Sequence, residues 1–169
     1  MRITLRALTH RDVGAHNAGE DEHTVRWLTG RYGTVESTTV HFDRLADNDR
    51  AGYGKRGFGV CLDGRLAGYV DCDPDAGDGL EQGDVNISYA VHPSARGRGV
   101  AEEAVRLMCE YIRKHQIGTR AAIRVDPDNH ASVRVAEKSG FSYVHDFTSG
   151  TDKQPDGTPV RMRLYVHNV

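Results

Sequence analysis

The hydrophobic pattern of this chain predicts strands and helices that follow one another along its whole length. Apolar runs with strand character, bounded by turn residues, occupy residues 3–8, 57–62, 65–71, 85–91, 120–125, 141–147 and 160–166. Segments with helical character occupy residues 10–31 in short pieces, then 37–45, 100–115 and 129–139. This order predicts one α/β domain over residues 1–169, built around a mixed sheet.

Turn residues predict where several of these elements end. Asp63 and Gly64 suit a two-residue type I′ turn, so the strands on either side of them are expected to form a hairpin. Residues 46–50 and 150–158 are mostly polar and predict loops. Gly118 is expected to end the long helix that precedes it.

The turn after the strand over residues 85–91 has the composition of an anion site. Gly97 and Gly99 carry no Cβ, so the backbone there can approach a ligand closely and adopt positive φ. The first N–H groups of the following helix lack intrahelical partners, and the helix dipole favours negative charge there. Arg96 and Arg98 add two positive charges. The turn therefore predicts a phosphate or pyrophosphate site, although its spacing is neither that of a dinucleotide fingerprint nor that of a P-loop.

Two motifs carry a family resemblance. Arg96-x-x-Gly99-x-Ala101 resembles the phosphate-binding signature of the GNAT family of acetyl-CoA-dependent N-acetyltransferases, and residues 129–141 resemble that family's last conserved helix and the strand after it. The Asn-x-x-Ser spacing within the second motif is closest to the branch of ribosomal-protein N-terminal acetyltransferases. The resemblance covers nearly the full chain. It implies an α/β fold whose mixed, largely antiparallel central sheet is splayed at the cofactor site, with helices on both faces.

The resemblance also implies how acetyl-CoA, the cosubstrate, is bound. Pantetheine would insert between the strands that end at Val91 and Val125, with backbone groups near Ala90 and Val91 bonding its amides. Asn129 would hold pantetheine or a bridging water beside Ser132; the alternative is that Asn129 is only a helix N-cap and Ser132 part of the first turn. The residues expected to hold the pyrophosphate are Arg96, Gly97, Arg98, Gly99, Val100 and Ala101.

Two positions depart from the catalytic pattern of the family. The tyrosine that often serves the leaving thiolate is Ala136 here, which makes Ser132 the candidate for hydrogen-bonding or protonating the CoA sulfur. The glutamate that many relatives carry on the strand before the turn is Asn86, which cannot accept a proton at neutral pH. Asp84 and Asp71 are the nearest carboxylates and become the candidate general bases. Each is alternatively a solvated residue at a strand end.

Two acidic clusters lie in segments expected near the acceptor cleft. Residues 71–84 contain acidic side chains but no Lys or Arg, and residues 20–22 are all acidic. Such clusters attract cations, which favours a small cationic amine as acceptor, such as an aminoglycoside-type antibiotic. The candidate substrate contacts are Glu22, Trp27, Asp71 and Asp84.

Three other functions stay open at this point. A peptide or protein N-terminus is the alternative acceptor that the Asn-x-x-Ser spacing favours. A non-catalytic CoA-binding module would fit the departures at Asn86 and Ala136. A phosphate-binding domain of another kind would share only the Gly-rich turn.

Charge and composition narrow the class of protein further. The net charge of −2 argues against nucleic acid as a partner. The first residues lack the apolar region of a signal peptide, and no run approaches the roughly 20 apolar residues of a membrane span, so we expect a cytoplasmic protein without membrane contact. The spacing of Cys61, Cys72 and Cys109 fits neither a disulfide framework nor a metal site, and no histidine pair has metal-binding spacing, so no metal is expected. Monomer and homodimer both stay open.

Overall fold

A computed structural model describes residues 1–169, which form one seven-stranded sheet with helices packed against it. The strands are β1 (Ile3–Arg6), β2 (Arg56–Leu62), β3 (Arg65–Asp73), β4 (Asp84–Val91), β5 (Arg120–Val125), β6 (Ser142–Lys153) and β7 (Pro159–Asn168). Their order across the sheet is β1-β2-β3-β4-β5-β7-β6, and only β4 and β5 run parallel. The predicted mixed, largely antiparallel sheet is therefore confirmed.

The helices are α1 (Val13–Ala18), α2 (Glu22–Thr24), α3 (Val35–Ala51), α4 (Val100–Lys114) and α5 (His130–Lys138). Helix α2 continues directly into a π-helical turn over Val25–Thr29. Short 3₁₀ turns precede α1 and follow β4. No helix combines the length and apolar composition needed to cross a bilayer.

The helices cover both faces of the sheet, as predicted. On one face α4 and α5 bury the main core, which includes Met108 of α4 and Ala136 of α5 together with Val70 and Ile87 of the sheet. On the other face α1 and α3 enclose a smaller cluster made by Leu8, Val13, Phe42, Leu45 and Tyr69. Successive residues of a strand point to opposite faces, so Val70 faces α4 whereas Tyr69 faces α3.

Helix α3 is longer than the pattern predicted, because residues 46–50 belong to it and do not form a loop. Phe42 and Leu45 bury its inner face, whereas the last turns are polar and offer no apolar periodicity to detect. Gly52, with a φ of 74°, ends the helix in the left-handed conformation typical of a C-terminal glycine.

Two other boundaries differ from the prediction. Strand β6 continues to Lys153, because Asp78 accepts hydrogen bonds from the Ser149 hydroxyl at 2.6 Å and the Gly150 N–H at 2.8 Å and fixes this polar stretch. Helix α4 ends before Gly118, where a Cβ would lie 2.4 Å from a methyl group of Val85. That glycine therefore permits close contact with β4 and does not end the helix.

The hairpin turn between β2 and β3 is confirmed. Asp63 has a φ of 49° and Gly64 a φ of 83°, the two positive values that a type I′ turn requires.

The sheet splits between its two parallel strands. Strand β4 pairs with β5 only where residues 84–86 lie beside residues 120–122. Beyond this point β4 pairs with β3 alone and β5 with β7 alone. The two strands therefore diverge into a V-shaped gap, which confirms the predicted splay.

An ion pair joins the two strands at the start of their paired segment, two residues before the gap opens. Arg120 Nε lies 2.6 Å from Asp84 Oδ1, Arg120 Nη2 lies 2.9 Å from Asp84 Oδ2, and the Glu81 N–H also donates to this carboxylate. Burial raises the pKa of Asp84, but these hydrogen bonds outweigh it, so the pKa is lowered overall. The carboxylate therefore carries a charge that Arg120 must balance.

We predict that Arg120→Met destabilises the fold by about 2 kcal/mol, because it leaves a buried carboxylate without its cation. Urea unfolding at neutral pH measures the loss. Arg106→Met is the matched control, since Arg106 pairs with Glu103 on the exposed face of α4 and such pairs contribute less than about 1 kcal/mol. Equal losses in the two variants would contradict the role of the buried pair.

Candidate active site

A cleft of about 1910 Å³ opens at the gap between β4 and β5. Its walls come from the segment that contains α2, from α3, from the start of α4, from α5 and from the end of the β6–β7 hairpin. Because parallel pairing stops at residue 86, the floor of the cleft is an unpaired strand edge. A binding site is therefore built into the topology of the sheet.

The N–H groups of residues 97–102 donate to no acceptor in the protein. The first backbone bond of α4 runs from the Glu103 N–H to the Gly99 carbonyl. Gly97 and Gly99 have φ values of 71° and 73°, and no atom lies within 4 Å of where a Cβ would project at either position. These open N–H groups at a helix N-terminus can surround an anion, as the sequence predicted.

Only one of the two arginines in this turn is free. Arg96 is bound bidentately to Asp21 at 2.6 and 2.9 Å, and its Nε donates to the Val91 carbonyl at 3.0 Å. Asp21 also caps α2 by accepting the Thr24 N–H. Arg96 therefore fastens α2 to the turn, which corrects the expectation that its charge is available to a phosphate. Arg98 is exposed and makes no ion pair.

The backbone groups on the free edge of β4 belong to Tyr89 and Val91, not to Ala90. The His92 N–H donates to the Ala67 carbonyl of β3 at 2.8 Å. Because N–H and C=O directions alternate along a strand, the groups of Ala90 point toward β3 as well. Those of Tyr89 and Val91 point into the gap. This corrects the expectation that Ala90 offers backbone groups to a ligand in the gap.

At the start of α5, Asn129 acts as the N-cap, since its Oδ1 accepts the Ser132 N–H at 3.3 Å. This is the alternative that the sequence left open. The Ser132 hydroxyl lies 2.7 Å from the Tyr89 hydroxyl, and both residues line the cleft. Ala136 is fully buried in the core.

The sequence pattern did not single out Tyr89, which is one position of the strand predicted over residues 85–91. The signal available in the sequence was its place close to the Gly-rich turn, and in the structure it packs on the face that α5 covers. Tertiary contact with a helix some 40 residues later gives its hydroxyl a partner.

Asp71 is the buried carboxylate of the cleft. Its side chain accepts the Tyr69 hydroxyl at 2.7 Å, lies 3.8 Å from Lys55 Nζ, and has one oxygen with no hydrogen-bond partner. Burial raises the pKa of Asp71 to about 6, although Lys55 and the Tyr69 hydroxyl oppose the shift. A carboxylate with this pKa is ionised at neutral pH and can still hold a proton, as a general base must.

Two histidines beside Tyr69, the residue that donates to Asp71, are neutral at neutral pH. Burial lowers the pKa of both His16 and His41 to about 4. His41 Nε2 lies 3.2 Å from the Tyr69 hydroxyl, whose hydrogen goes to Asp71. Lys55 is therefore the only nearby cation that contacts Asp71.

Asp84 is not a second base. It does not line the cleft, and its ion pair with Arg120 keeps its pKa low. Asn86 is likewise engaged, because its Oδ1 accepts the Nε of Arg124 at 3.0 Å. Of the two sequence candidates, only Asp71 has access to a substrate.

Most carboxylates of the two acidic clusters form hydrogen bonds or ion pairs with other groups of the protein. Asp78 binds residues of β6, Asp84 binds Arg120, and Glu20 accepts the Gly33 N–H at 2.7 Å. The side chains of these clusters that line the cleft are Glu20, Glu22 and Asp71, and Trp27 lines the same cleft. Basic side chains line the same cleft, among them Arg26, Arg31, Lys55, Arg124 and Lys153. The cleft as a whole is therefore lined by charges of both signs, whereas the sequence predicted an acidic acceptor region.

Comparisons with known proteins agree with this geometry. A family model described as an acetyltransferase (GNAT) domain matches residues 2–142. RimJ of Mycobacterium smegmatis, solved in complex with CoA-disulfide, has a TM-score of 0.83 at 23% identity, covering 99% of this chain and 82% of that one. The Salmonella typhimurium acetyl transferase that modifies the N-terminal serine of ribosomal protein L7/L12 has a TM-score of 0.81 at 18% identity, covering 99% and 95%.

A third solved structure belongs to a different substrate class. The aminoglycoside acetyltransferase AAC(6')-Ib in complex with coenzyme A has a TM-score of 0.76 at 24% identity, covering 99% of this chain and 95% of that one. At these identities the solved structures show the fold alone. Among curated sequences, the uncharacterized protein YkkB of Bacillus subtilis (strain 168) is 42% identical over 60 residues, or 35% of this chain. The matched region spans about a third of that protein, 34%.

We predict that Asp71→Asn stabilises the protein at alkaline pH. Asp71 has a folded-state pKa of about 6 against an ordinary 3.8, so between about pH 4 and 6 the folded protein keeps a proton that the unfolded chain has lost. The contribution of this carboxyl to stability therefore falls as pH rises through that window. Above it, the variant should be more stable than the original by about 2 kcal/mol.

Urea unfolding of both proteins at about pH 4 and pH 8 measures the difference. Asp75→Asn, at an exposed position of the same segment, is the control and should shift stability little at either pH. A gain for Asp71→Asn that is the same at both pH values would contradict the raised pKa.

Proposed function

Because the chain belongs to the acetyltransferase (GNAT) family and is an acyl-CoA-dependent N-acetyltransferase, we propose that it acetylates the α-amine of a peptide N-terminus, with Asp71 as the general base. The cosubstrate is acetyl-CoA, as the family implies. The observation that carries the proposal is the buried Asp71 carboxylate, with one unpartnered oxygen, in the cleft at the strand gap.

The residues present fit acetyl-CoA in both of its polar parts. The open N–H groups of residues 97–102, with Arg98 beside them, suit the pyrophosphate. The backbone groups of Tyr89 and the N–H of Val91 face the gap and suit the pantetheine amides, which would add to the strand edge. Gly97, Gly99, Val100 and Ala101 are the proposed pyrophosphate contacts, Arg96 would act indirectly by fastening α2 to the turn, and Asn129 would act as the N-cap of α5.

The pKa of Asp71 favours an amine that is only weakly basic. A carboxylate with a pKa of about 6 must take a proton from an ammonium whose pKa is roughly 8 for an α-amine and roughly 10.4 for a lysine. The transfer costs about 3 kcal/mol in the first case and about 6 kcal/mol in the second. The remaining chemistry is attack of the neutral amine on the thioester carbon.

The charges that line the cleft also favour a peptide acceptor. Carboxylates and basic side chains both line the acceptor region, which suits a peptide with mixed charges better than a polycation. Glu22 and Trp27 are the proposed contacts with the residues that follow the N-terminus. Arg26 lies over the Trp27 ring at 4.4 Å and would help to hold it.

A small cationic amine of the aminoglycoside type is the second candidate. The observation that favours it is that Glu20, Glu22 and Asp71 all line the cleft. Two amino groups of one such acceptor, bound between these carboxylates, would be attracted to them electrostatically, and a peptide lacks this second charge. That attraction would weaken with added salt.

We also propose that the enzyme acts in a reducing compartment. Cys61, Cys72 and Cys109 are all free thiols, which fits a reducing compartment such as the cytoplasm. Residues 1–169 would act as one domain, since a single sheet includes strands from both ends of the chain.

The first test is thiol release from acetyl-CoA with a panel of peptides of varied N-termini, aminoglycosides and polyamines. We expect turnover on peptides, and a kcat at least about 100-fold lower for Asp71→Asn. The rate should rise with pH through about 6 as Asp71 ionises, and this limb should vanish in the variant.

Asp75→Asn is again the control and should keep both kcat and the pH profile. Turnover only on aminoglycosides, falling steeply with salt, would select the second candidate. Turnover on no amine, despite a rise in melting temperature with acetyl-CoA, would favour a non-catalytic CoA-binding module. A wild-type pH profile in Asp71→Asn would exclude Asp71 as the base.

We also predict that a carboxylate at position 97 weakens CoA binding. Gly97→Asp would place a negative charge among the open N–H groups, whereas Gly97→Asn adds a side chain of the same size and the same strain at positive φ. We expect the Kd for CoA, measured by calorimetry, to be at least about 10-fold higher for the Asp variant. Equal Kd values would place the pyrophosphate elsewhere.

A further inference from the structure

One side-chain hydrogen bond spans the gap between β4 and the last helix. The Tyr89 hydroxyl of β4 lies 2.7 Å from the Ser132 hydroxyl of α5, and 3.4 Å from the Ser132 carbonyl. Strand β5 has already diverged from β4 at this level, so no backbone pairing bridges the two elements here. The contact therefore closes one side of the gap in which a ligand chain would lie.

The hydrogen bond has a favoured direction. Burial raises the pKa of Tyr89 to about 12, so its hydroxyl stays protonated at any physiological pH. A phenol is a stronger acid than an aliphatic alcohol and is the better donor of the two. With Tyr89 donating to the Ser132 oxygen, the hydrogen of Ser132 is left free to donate into the cleft.

This pair lies on the opposite face of the sheet from the base. Asp71 is on the face covered by α1 and α3, since it bonds Tyr69 of that cluster. Tyr89 packs against the main core on the face covered by α4 and α5. A thioester placed in the gap would have Asp71 on one side and the Tyr89–Ser132 pair on the other.

We propose that Tyr89 is a positioning residue for the departure of CoA: it holds the Ser132 hydroxyl so that its hydrogen points at the thioester sulfur. This inference rests on the proposed acetyl transfer. Ala136 is fully buried and carries no hydroxyl, so α5 offers no phenol of its own for this task.

Acetyl transfer forms one C–N bond and breaks one C–S bond. The nitrogen lone pair forms the new C–N bond, and the C–S electron pair leaves on sulfur as a thiolate. The Ser132 O–H donates a hydrogen bond to the sulfur as its charge grows. Asp71 takes the first proton of the ammonium before attack, the nitrogen releases its second proton to water in the cleft after attack, and the thiolate takes one proton from water as CoA leaves.

Tyr89 donates a hydrogen bond and does not transfer its proton. Its pKa of about 12 lies well above the roughly 8.5 of an ordinary thiol, so a thiolate is too weak a base to remove the phenolic proton. Tyr89 therefore acts on the sulfur only by orienting the Ser132 hydroxyl.

The test is a double-mutant cycle with Tyr89→Phe and Ser132→Ala. We expect each single variant to lower kcat roughly 10-fold, the effect of one hydrogen bond, with the KM for acetyl-CoA unchanged. The double variant should be no slower than Ser132→Ala, because Tyr89 acts only through Ser132. Ser132→Thr keeps the hydroxyl and should retain most of kcat.

A second readout does not depend on the acceptor amine. The thiol of bound CoA can be titrated by the ultraviolet absorbance of its thiolate. A hydrogen-bond donor at sulfur lowers the thiol pKa, so Tyr89→Phe and Ser132→Ala should each raise it by about one unit. Tyr111→Phe is the matched control, because that hydroxyl bonds Asp49 and does not line the cleft.

Independent effects on kcat in the double variant, or an unchanged thiol pKa in Tyr89→Phe, would overturn the inference. Failure of the wild-type protein to acetylate any amine would count against the proposed function, whereas the thiol titration would still decide the role of Tyr89. The two failures are therefore distinguishable.

Discussion

The site depends on one constraint, which is that the parallel strands β4 and β5 pair over only three residues each before they separate. Unpaired backbone groups at a strand edge require a partner, and in the gap that partner can only be water or a ligand. The Asp84–Arg120 ion pair holds the two strands together at the first of these paired positions, before the gap opens. The Gly-rich turn at the end of β4 then places open N–H groups beside the same gap. The sheet and the anion site therefore open onto a common cleft.

The proposed base shows how the fold gives up stability at a functional position. Asp71 is almost wholly buried, keeps one oxygen without a partner, and has a raised pKa because burial disfavours its charge. A protein optimised for stability alone would place an apolar or amide side chain there. Asp84 is buried to a similar degree, yet two bonds from Arg120 lower its pKa overall. Two carboxylates of one chain segment thus differ in role because only one has a cation in direct contact at hydrogen-bond distance.

The number of acidic residues in the two clusters did not predict the charge of the cleft, because most of these residues bind other groups of the protein. Asp78 accepts hydrogen bonds from β6, Asp21 binds Arg96, and Glu20 accepts a backbone N–H. Each of these carboxylates stabilises a loop or joins two segments, and Asp21 is neutralised directly by Arg96. The same contacts place α2 and the β6–β7 hairpin at the rim of the cleft. These acidic residues therefore shape the acceptor region more than they charge it.

The sequence by itself determined the order of the elements, the type I′ hairpin turn, the splayed sheet through its family motifs, and the glycine-rich turn whose open N–H groups begin α4. These features follow from local periodicity, from glycine positions and from motif spacing, which neighbouring residues decide among themselves. Tertiary structure alone decided that Arg96 binds Asp21, that Asp71 rather than Asp84 faces the cleft, and that Tyr89 bonds Ser132. Each of these joins residues distant in sequence or depends on burial, and neither a pairing across the fold nor a desolvated carboxyl leaves a periodic trace along the chain. The polar last turns of α3 were missed for a related reason, because a helix end exposed to solvent carries no apolar pattern.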